Sequence, residues 1–89
     1  MISVTTQRFR KAYKELPEQI KESARRAYKI WKENPNHASL QFKQIHKTQA
    51  VYSVRINLAY RALGIKQGNT IIWFWVGSHA EYDKLIALL

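Results

Sequence analysis

Residues 71–85 read IIWFWVGSHAEYDKL and join the longest apolar run of the chain to a group of polar side chains. A strand alternates its side chains between two faces, and here both faces would be apolar, as in the central strand of a sheet. The two sets are Ile71, Trp73 and Trp75 on one face and Ile72, Phe74 and Val76 on the other. Residues 70–76 therefore predict a central strand that anchors the core.

The chain changes character after Gly77, because the next residues can exchange protons or hydrogen bonds. His79 and Tyr82 are three apart and would share a helix face if a turn begins at Ser78. They could then act together at the exit of the strand. A structural role is the alternative, with Ser78 as a helix cap, His79 on the surface and Tyr82 packed against the sheet edge.

Length and composition predict a single domain over residues 1–89, since the chain has no room for a second core. There are no cysteines, so neither a disulfide framework nor a thiolate zinc site is available. The sequence shows no secretory leader and no apolar run long enough to span a bilayer. These features predict a soluble cytoplasmic protein without a membrane partner.

Charge is the strongest feature of the composition. The chain has 15 Lys and Arg against 6 Asp and Glu, a formal net charge of +9. Such an excess is typical of proteins that bind a polyanion, and nucleic acid is the first candidate. Residues 1–47 alone hold 11 Lys and Arg against 4 Glu, which indicates a surface able to follow a phosphate backbone. Two solvated helix faces are the structural alternative.

Two helices are predicted in the first half of the chain. Apolar residues recur at helical spacing over residues 6–16, with Thr5 or Thr6 as the N-cap. Pro17 ends this helix and opens a second one over residues 17–34. The apolar stripe of the second helix consists of Ile20, Ala24, Ala27, Tyr28 and Trp31. We expect the two helices to form an antiparallel hairpin.

Alternating apolar residues replace the helical period after His37. The predicted strands cover residues 40–45, 51–57, 60–66 and 70–76. Gln67-Gly68-Asn69 is a hairpin signal between the last two strands, and residues 81–89 predict a short terminal helix. The predicted fold class is α+β, with an N-terminal helical hairpin packed on one face of a small, mainly antiparallel β-sheet.

Two arginines fall near the ends of neighbouring predicted strands. Arg55 lies on one face of its strand and Arg61 opens the next strand, so the two could converge on one surface. With His79 and Tyr82 they would suit phosphoryl transfer in RNA, because arginine neutralises the developing charge while the other two groups move protons. Ordinary solvated strand arginines are the alternative.

The sequence predicts no metal and no cofactor. The separations between His37, His46 and His79 match no compact metal-ligand motif. The three glycines, at positions 64, 68 and 77, are too far apart to form a phosphate-binding loop. No nucleophile-elbow spacing is present around a serine.

Several phrases of the sequence, in their order and spacing, resemble the RelE/ParE superfamily of bacterial toxins from type II toxin–antitoxin pairs. They are FRKAYKELP followed by a long basic helix, NPNHASLQFKQI, YSVRINLAYRALG across a hairpin, and WFWVGSHAEYDKL. The resemblance covers almost the whole chain. It implies the fold described above, a toxin in the bacterial cytoplasm, and a cognate antitoxin protein that holds the toxin inactive.

The resemblance implies one of two activities. RelE-, YoeB- and YafQ-like members cut mRNA on the ribosome and leave a 2′,3′-cyclic phosphate and a 5′-hydroxyl, whereas ParE-like members inhibit DNA gyrase. Arg55 and Arg61 match basic strand positions of the RelE-type site, while Ser53 stands where RelE has a lysine. His79 matches a position held by a catalytic His in YafQ-like chains. Tyr82 lies near the C-terminal Tyr used by RelE.

We therefore predict a ribosome-dependent mRNA endoribonuclease, or mRNA interferase, that blocks translation without a metal. The predicted catalytic residues are Arg55, Arg61, His79 and Tyr82. Binding of ribosomal or messenger RNA is assigned to Lys43, His46, Lys47, Arg25, Arg26 and Lys29. A DNA gyrase inhibitor that acts by protein binding without nuclease chemistry is the alternative, and a non-catalytic RNA-binding module is the third interpretation.

Overall fold

The apolar stretch of residues 71–76 lies within a strand of a five-stranded sheet, in a computed structural model that describes residues 1–88. The strands are β1 (Ile2–Thr5), β2 (Lys43–Gln44), β3 (Val51–Arg55), β4 (Tyr60–Gln67) and β5 (Thr70–Ser78). The helices are α1 (Gln7–Lys14), α2 (Glu18–Glu33) and α3 (His79–Ala87), with a short 3₁₀ helix at Ala38–Leu40.

The strand order is β1-β5-β4-β3-β2, and every pair is antiparallel except β1 with β5. Gly68 and Asn69 connect β4 to β5, and Gly68 has a φ of 59°. A positive φ at the first position of a two-residue loop is typical of a type II′ hairpin, which glycine adopts without strain. The predicted α+β class and the mainly antiparallel sheet are confirmed.

Strand β1 was not predicted, since the sequence indicated helices first and strands second. Its four residues are too few to show a period, and two of them, Ile2 and Val4, are exposed on one face. The strand forms by parallel pairing with β5, in which Ile2 lies opposite Thr70 and Thr5 opposite Trp73. Tertiary pairing therefore sets this element, and local propensity does not.

The strand predicted around residues 40–45 is shorter than expected. Leu40 instead ends the 3₁₀ helix, where it is fully buried, and only Lys43–Gln44 pair as β2. The His37 ring caps the 3₁₀ turn, because its Nδ1 accepts from the Ser39 amide at 3.2 Å. Gln41 then adopts a left-handed φ of 47°, which breaks the extended backbone.

Both predicted helices of the first half are present. Thr6 caps α1 by accepting from the Phe9 amide at 3.1 Å, and Pro17 precedes α2. Trp31 and Ala27 of the predicted stripe are buried, but Tyr28 is 45% exposed and Ile30 packs against the core instead. None of the helices within residues 1–88 is long and apolar enough to cross a membrane.

Helices cover both faces of the sheet. On one face α2 contributes to a core, and Phe9, Ala12 and Tyr13 of α1 pack against it. The core comprises Ala27, Trp31, Leu40, Val54, Ala62, Ile71, Trp73 and Val76. On the other face α3 packs against β4 and β5, with Tyr82 over Trp75. The terminal helix begins two residues before its predicted start, because Ser78 caps it.

A β-bulge in β5 overturns one prediction about the faces of this strand. Leu63 pairs with Trp75 but the next residue, Gly64, pairs with Trp73, so Phe74 is the extra residue. The alternation of side chains is interrupted there. Trp73 consequently packs on the side of α2 with Trp31, whereas Trp75 packs on the side of α3. The expectation that the two tryptophans share a face was wrong.

Gly64 sits at the bulge where no side chain fits. A Cβ at this position would lie 2.9 Å from both Ile71 Cγ1 and Trp73 Cε3. We expect Gly64→Ala to lower the free energy of unfolding by about 1–3 kcal/mol, the usual cost of overpacking a core. Urea denaturation measures this change. The control Gln67→Ala, at an exposed position of the same strand, should stay within about 0.5 kcal/mol of wild type. Equal stability of Gly64→Ala and wild type would contradict the close approach.

Candidate functional site

The strand register brings two arginines and a glycine into one row at one end of the sheet. Arg55 lies directly opposite Arg61, and Arg61 lies directly opposite Gly77. Residues directly opposite each other in antiparallel strands present their side chains on the same face. Gly77 has no side chain, and the Trp75 ring lies over it, since a Cβ there would be 2.7 Å from Trp75 Cζ2. His79 follows two residues later at the start of α3.

Arg61 is partly buried and held by backbone carbonyls. Its Nη1 donates to the carbonyl oxygens of Asn57 and Tyr60. Burial lowers the pKa of Arg61, and the positive charge of Arg55 lowers it further, against the opposite effects of Tyr82 and Asp83. An arginine nevertheless remains protonated at neutral pH.

Arg55 and Arg61 lack a carboxylate partner in direct contact within residues 1–88, although Asp83 is near enough to raise the pKa of Arg61. Within residues 1–88 neither guanidinium forms an ion pair, and Arg55 donates no side-chain hydrogen bond. Two like charges placed opposite each other destabilise a sheet. An anion bound between them would remove that repulsion, so the pair is suited to hold a phosphate.

His79 is oriented by a carboxylate that sequence reasoning did not assign to the site. Its Nδ1 lies 3.0 Å from Oδ2 of Asp83, one helical turn later, and the side chains are 45% and 59% exposed. A neutral imidazole that donates from Nδ1 to the carboxylate leaves its Nε2 lone pair free to accept a proton. The i, i+4 spacing of the two residues in HAEYD was the available signal.

The beginning of α3 is fixed by a capping box. The Ser78 hydroxyl accepts from the Glu81 amide at 3.2 Å, and the Glu81 carboxylate accepts from the Ser78 amide at 3.4 Å. The His79 amide also donates to the Ala59 carbonyl in the β3–β4 turn, at 2.7 Å. The imidazole is therefore carried by a helix whose first turn is held both by the capping box and by the Ala59 carbonyl.

Tyr82 is buried, with 7% of its surface exposed, and its hydroxyl donates to Ser53 Oγ at 3.3 Å. Its ring packs against Trp75, with a centroid separation of 6.5 Å, and meets the His79 ring edge-on at 5.8 Å. The hydroxyl thus faces the protein interior while the ring supports the imidazole. Ser53 has this tyrosine as its partner.

The residues predicted to bind RNA do not form one group. Lys43 of β2 lies opposite Ser53, in the neighbouring row that continues to Leu63 and not in the row of the two arginines. Arg26 lines a cleft together with Arg55. Arg25 instead faces α1, where it donates to the Tyr13 hydroxyl and pairs with Glu18, and these hydrogen bonds raise its pKa.

The other three predicted RNA-binding residues are His46, Lys29 and Lys47, and none of them lines this cleft or takes part in the Arg25 contacts. His46 shapes its own loop, because its Nδ1 accepts from the Thr48 and Gln49 amides at 3.2 and 3.0 Å. Lys29 and Lys47 are exposed. No group of three or more His, Asp or Glu side chains within the described chain is arranged to hold a metal ion.

The His79–Asp83 contact predicts a particular tautomer. In wild type the neutral imidazole should carry its proton on Nδ1, since Asp83 accepts from that atom. Asp83→Asn should reduce the population of this tautomer. Long-range ¹H–¹⁵N NMR correlations of the imidazole report it directly. Glu81→Gln is the control on the same helix and should leave the ring nitrogens unchanged. A proton found on Nε2 in wild type would contradict the assignment.

A double-mutant cycle tests the buried Tyr82–Ser53 hydrogen bond. Tyr82→Phe and Ser53→Ala should each lower the free energy of unfolding by about 1 kcal/mol, since each removes one partner of a buried pair. The double variant should cost little more than one single variant, with a coupling of about 1 kcal/mol. Guanidinium unfolding curves give the four values. Strictly additive losses would show that the two hydroxyls do not interact.

Known proteins share this fold and one family model matches the chain. Residues 18–84 match the model of the ParE-like toxin domain. No curated protein matches the sequence significantly. A chain of the RelB–RelE antitoxin–toxin complex from Methanococcus jannaschii superposes with a TM-score of 0.73 at 19% identity, over 92% of this chain and 96% of that one.

Two further solved structures are similar. YafQ from E. coli gives a TM-score of 0.71 at 9% identity, over 90% of this chain and 94% of that one. The isolated E. coli RelE toxin gives 0.66 at 13% identity, over 99% and 98%. At these identities the likeness shows the fold alone. The family model covers most of the chain, and it confirms the resemblance seen in the sequence: the chain belongs to the ParE-like toxin domain family of the RelE/ParE superfamily.

Proposed function

We propose that this toxin is a ribosome-dependent endoribonuclease that cuts mRNA. The observation that carries the proposal is the arrangement at the end of the sheet, where an imidazole oriented by Asp83 follows the row that contains Arg55 and Arg61, which form no ion pair within residues 1–88. A base beside two phosphate-binding cations is what cleavage of RNA by its own 2′-hydroxyl requires.

The proposed reaction uses the 2′-hydroxyl of the substrate as the nucleophile. His79 Nε2 takes the proton from this hydroxyl, the 2′-oxygen forms a bond to phosphorus, and the bond from phosphorus to the 5′-oxygen breaks. The products are a 2′,3′-cyclic phosphate and a 5′-hydroxyl, whose oxygen takes a proton from water. Arg55 and Arg61 bind the non-bridging phosphate oxygens and stabilise the charge that develops on them.

Tyr82 has a positioning role in this proposal. Its hydroxyl is bonded to Ser53 and its ring edge contacts His79, so it supports the base without transferring a proton. This assignment replaces the proton-transfer role that the sequence suggested. Asp83 is the second positioning residue, because it holds the imidazole in the tautomer that accepts a proton.

The openness of the site supports the proposed dependence on the ribosome. His79 and Asp83 are about half exposed, so solvent weakens the electrostatic stabilisation that a closed active site would supply. The alignment of the 2′-hydroxyl with the leaving oxygen must then be provided by a second molecule that holds the RNA. A ribosome that holds the mRNA would supply this alignment, and we expect only weak cleavage of free RNA.

We also propose a cognate antitoxin as the partner of this toxin. The M. jannaschii relative was solved in a complex of toxin and antitoxin. The formal net charge of +9 favours an acidic partner, which would cover the basic surface and speed association through charge attraction.

Cleavage of mRNA in a purified translation system tests the nuclease assignment. Wild type should cut efficiently when ribosomes are present and only weakly without them. His79→Ala and Arg61→Gln should each lose at least about a hundredfold in rate, the loss expected for a proton-transfer group or a charge-stabilising group. Tyr82→Phe should retain most of the activity at temperatures where it is folded. Mapping of 5′ ends on the mRNA gives the rates.

The control for these variants is Arg8→Gln, which removes one exposed positive charge from α1 and should cut like wild type. Equal rates for His79→Ala and wild type would remove His79 from the reaction. If wild type arrests growth yet cuts no mRNA, the nuclease assignment is wrong. A supercoiling assay with DNA gyrase would then test the ParE-type alternative.

A further inference from the structure

The turn between β3 and β4 contacts both parts of the candidate active site. It consists of residues 56–59. Its Ala59 carbonyl accepts the amide of His79, the first residue of α3, at 2.7 Å. Its Asn57 carbonyl accepts from Nη1 of Arg61. The backbone of one short turn therefore holds the arginine and the start of the helix that carries the imidazole.

The Arg61 guanidinium is held on one side and free on the other. Its Nη1 donates to the carbonyl oxygens of Asn57 and Tyr60, the second at 2.9 Å. These two acceptors match the two hydrogens of this nitrogen. Within residues 1–88 the Nε and Nη2 atoms donate to no protein acceptor. A phosphate can accept two parallel hydrogen bonds from this free side, so the bonds of Nη1 determine where the phosphate is held.

The Asn57 side chain shapes this turn, in which no residue adopts a positive φ. Its Oδ1 accepts from the Ala59 amide at 2.8 Å and from the Tyr60 amide at 3.0 Å. An asparagine side chain that bonds the backbone two residues later forms an Asx turn, which replaces a backbone hydrogen bond. Leu58 at the tip is 79% exposed and adds little packing. The two bonds to Oδ1 therefore help to set the directions of the Asn57 and Ala59 carbonyls.

We propose that Asn57 is a positioning residue of the candidate active site. Its side chain fixes the turn, and the turn holds the Arg61 guanidinium and the first turn of α3 at a set separation. The phosphate that Arg61 binds and the hydroxyl that His79 deprotonates belong to one nucleotide linkage, so this separation has to match one geometry. The inference rests on the proposed nuclease function and extends it to a residue that acts through two others.

Two NMR measurements on the free protein test the structural step. Asn57→Ala removes the acceptor, whereas Asn57→Ser keeps a neutral oxygen that accepts the same amides more weakly. In Asn57→Ala the His79 amide should exchange with solvent about five- to tenfold faster, the factor that corresponds to one lost hydrogen bond. Rotation of the Arg61 guanidinium about its Cζ–Nη1 bond should also become faster. Asn57→Ser should lie between Asn57→Ala and wild type in both measurements.

Cleavage of mRNA on purified ribosomes tests the catalytic step. Asn57→Ala should lower kcat about tenfold and leave KM within about twofold, because alignment acts on the transition state and not on binding. Asn57→Ser should recover part of this loss. In the Arg61→Gln background, Asn57→Ala should lower kcat less than about threefold further, since the guanidinium that it positions is gone.

Leu58→Ala is the matched control, because it shortens the neighbouring exposed side chain and leaves the bonds to Asn57 Oδ1 in place. It should match wild type in exchange, rotation and cleavage. A loss in Leu58→Ala equal to that in Asn57→Ala would assign the effect to the exposed surface of the turn and overturn the inference. Urea denaturation of each variant sets a temperature at which all of them are folded.

Three other results would overturn the inference: unchanged exchange and rotation in Asn57→Ala, no recovery in Asn57→Ser, or losses from Asn57→Ala and Arg61→Gln that multiply in full. The two proposals fail separately. If the NMR changes occur but wild type cuts no mRNA, only the nuclease function fails. If wild type cuts mRNA and Asn57→Ala cuts it equally fast, only the positioning role fails.

Discussion

The pairing of β4 with β5 is the constraint on which the rest of the molecule depends. The turn at Gly68 and Asn69 closes one end of this strand pair. At the other end the pairing places Arg61 opposite Gly77. The bulge within this pair directs Trp73 towards α2 and Trp75 towards α3, so that each face of the sheet receives one large aromatic ring. Without that shift, α3 would lose the ring against which Tyr82 packs, and His79 would lose its support.

Scarcity of acidic residues sets the charge of the surface, with 6 Asp and Glu against 15 Lys and Arg. Several of the few carboxylates act locally: Glu18 pairs with Arg25, Glu81 completes a helix cap, and Asp83 holds an imidazole. Exposed ion pairs of this kind contribute little to stability. Arg55 and Arg61 therefore face each other at the end of the sheet without an ion-pair partner within residues 1–88, and Asp83 offsets only part of the positive charge around Arg61.

Sequence patterns predicted the elements whose signal is local. The double apolar face of residues 71–76 indicated an interior strand, Thr6 and Pro17 marked the helix starts, and Gly68 marked a turn. Sequence patterns gave wrong or missing predictions where hydrogen-bonded pairing between strands decides the structure. A period of two assumes an unbroken strand, so it could not show the bulge at Phe74, and four residues are too few to indicate β1.

The candidate site was predictable in its position and less so in its contacts. Arg55, Arg61 and His79 follow from strand ends that the sequence could locate. The direction of the Tyr82 hydroxyl depends on how α3 packs over Ser53, which no local spacing reveals. Asp83 is the exception, because its distance of four residues from His79 on a helix was visible in the sequence.

The parallel pairing of β1 with β5 bears on how a cell can make this protein. The strand at residues 2–5 has its partner at residues 70–73, and α3, which carries His79, follows that partner. A nascent chain therefore cannot complete the sheet or form the candidate site until α3 has left the ribosomal exit tunnel. The order of synthesis itself delays the assembly of the candidate site until well after α1 and α2 have emerged.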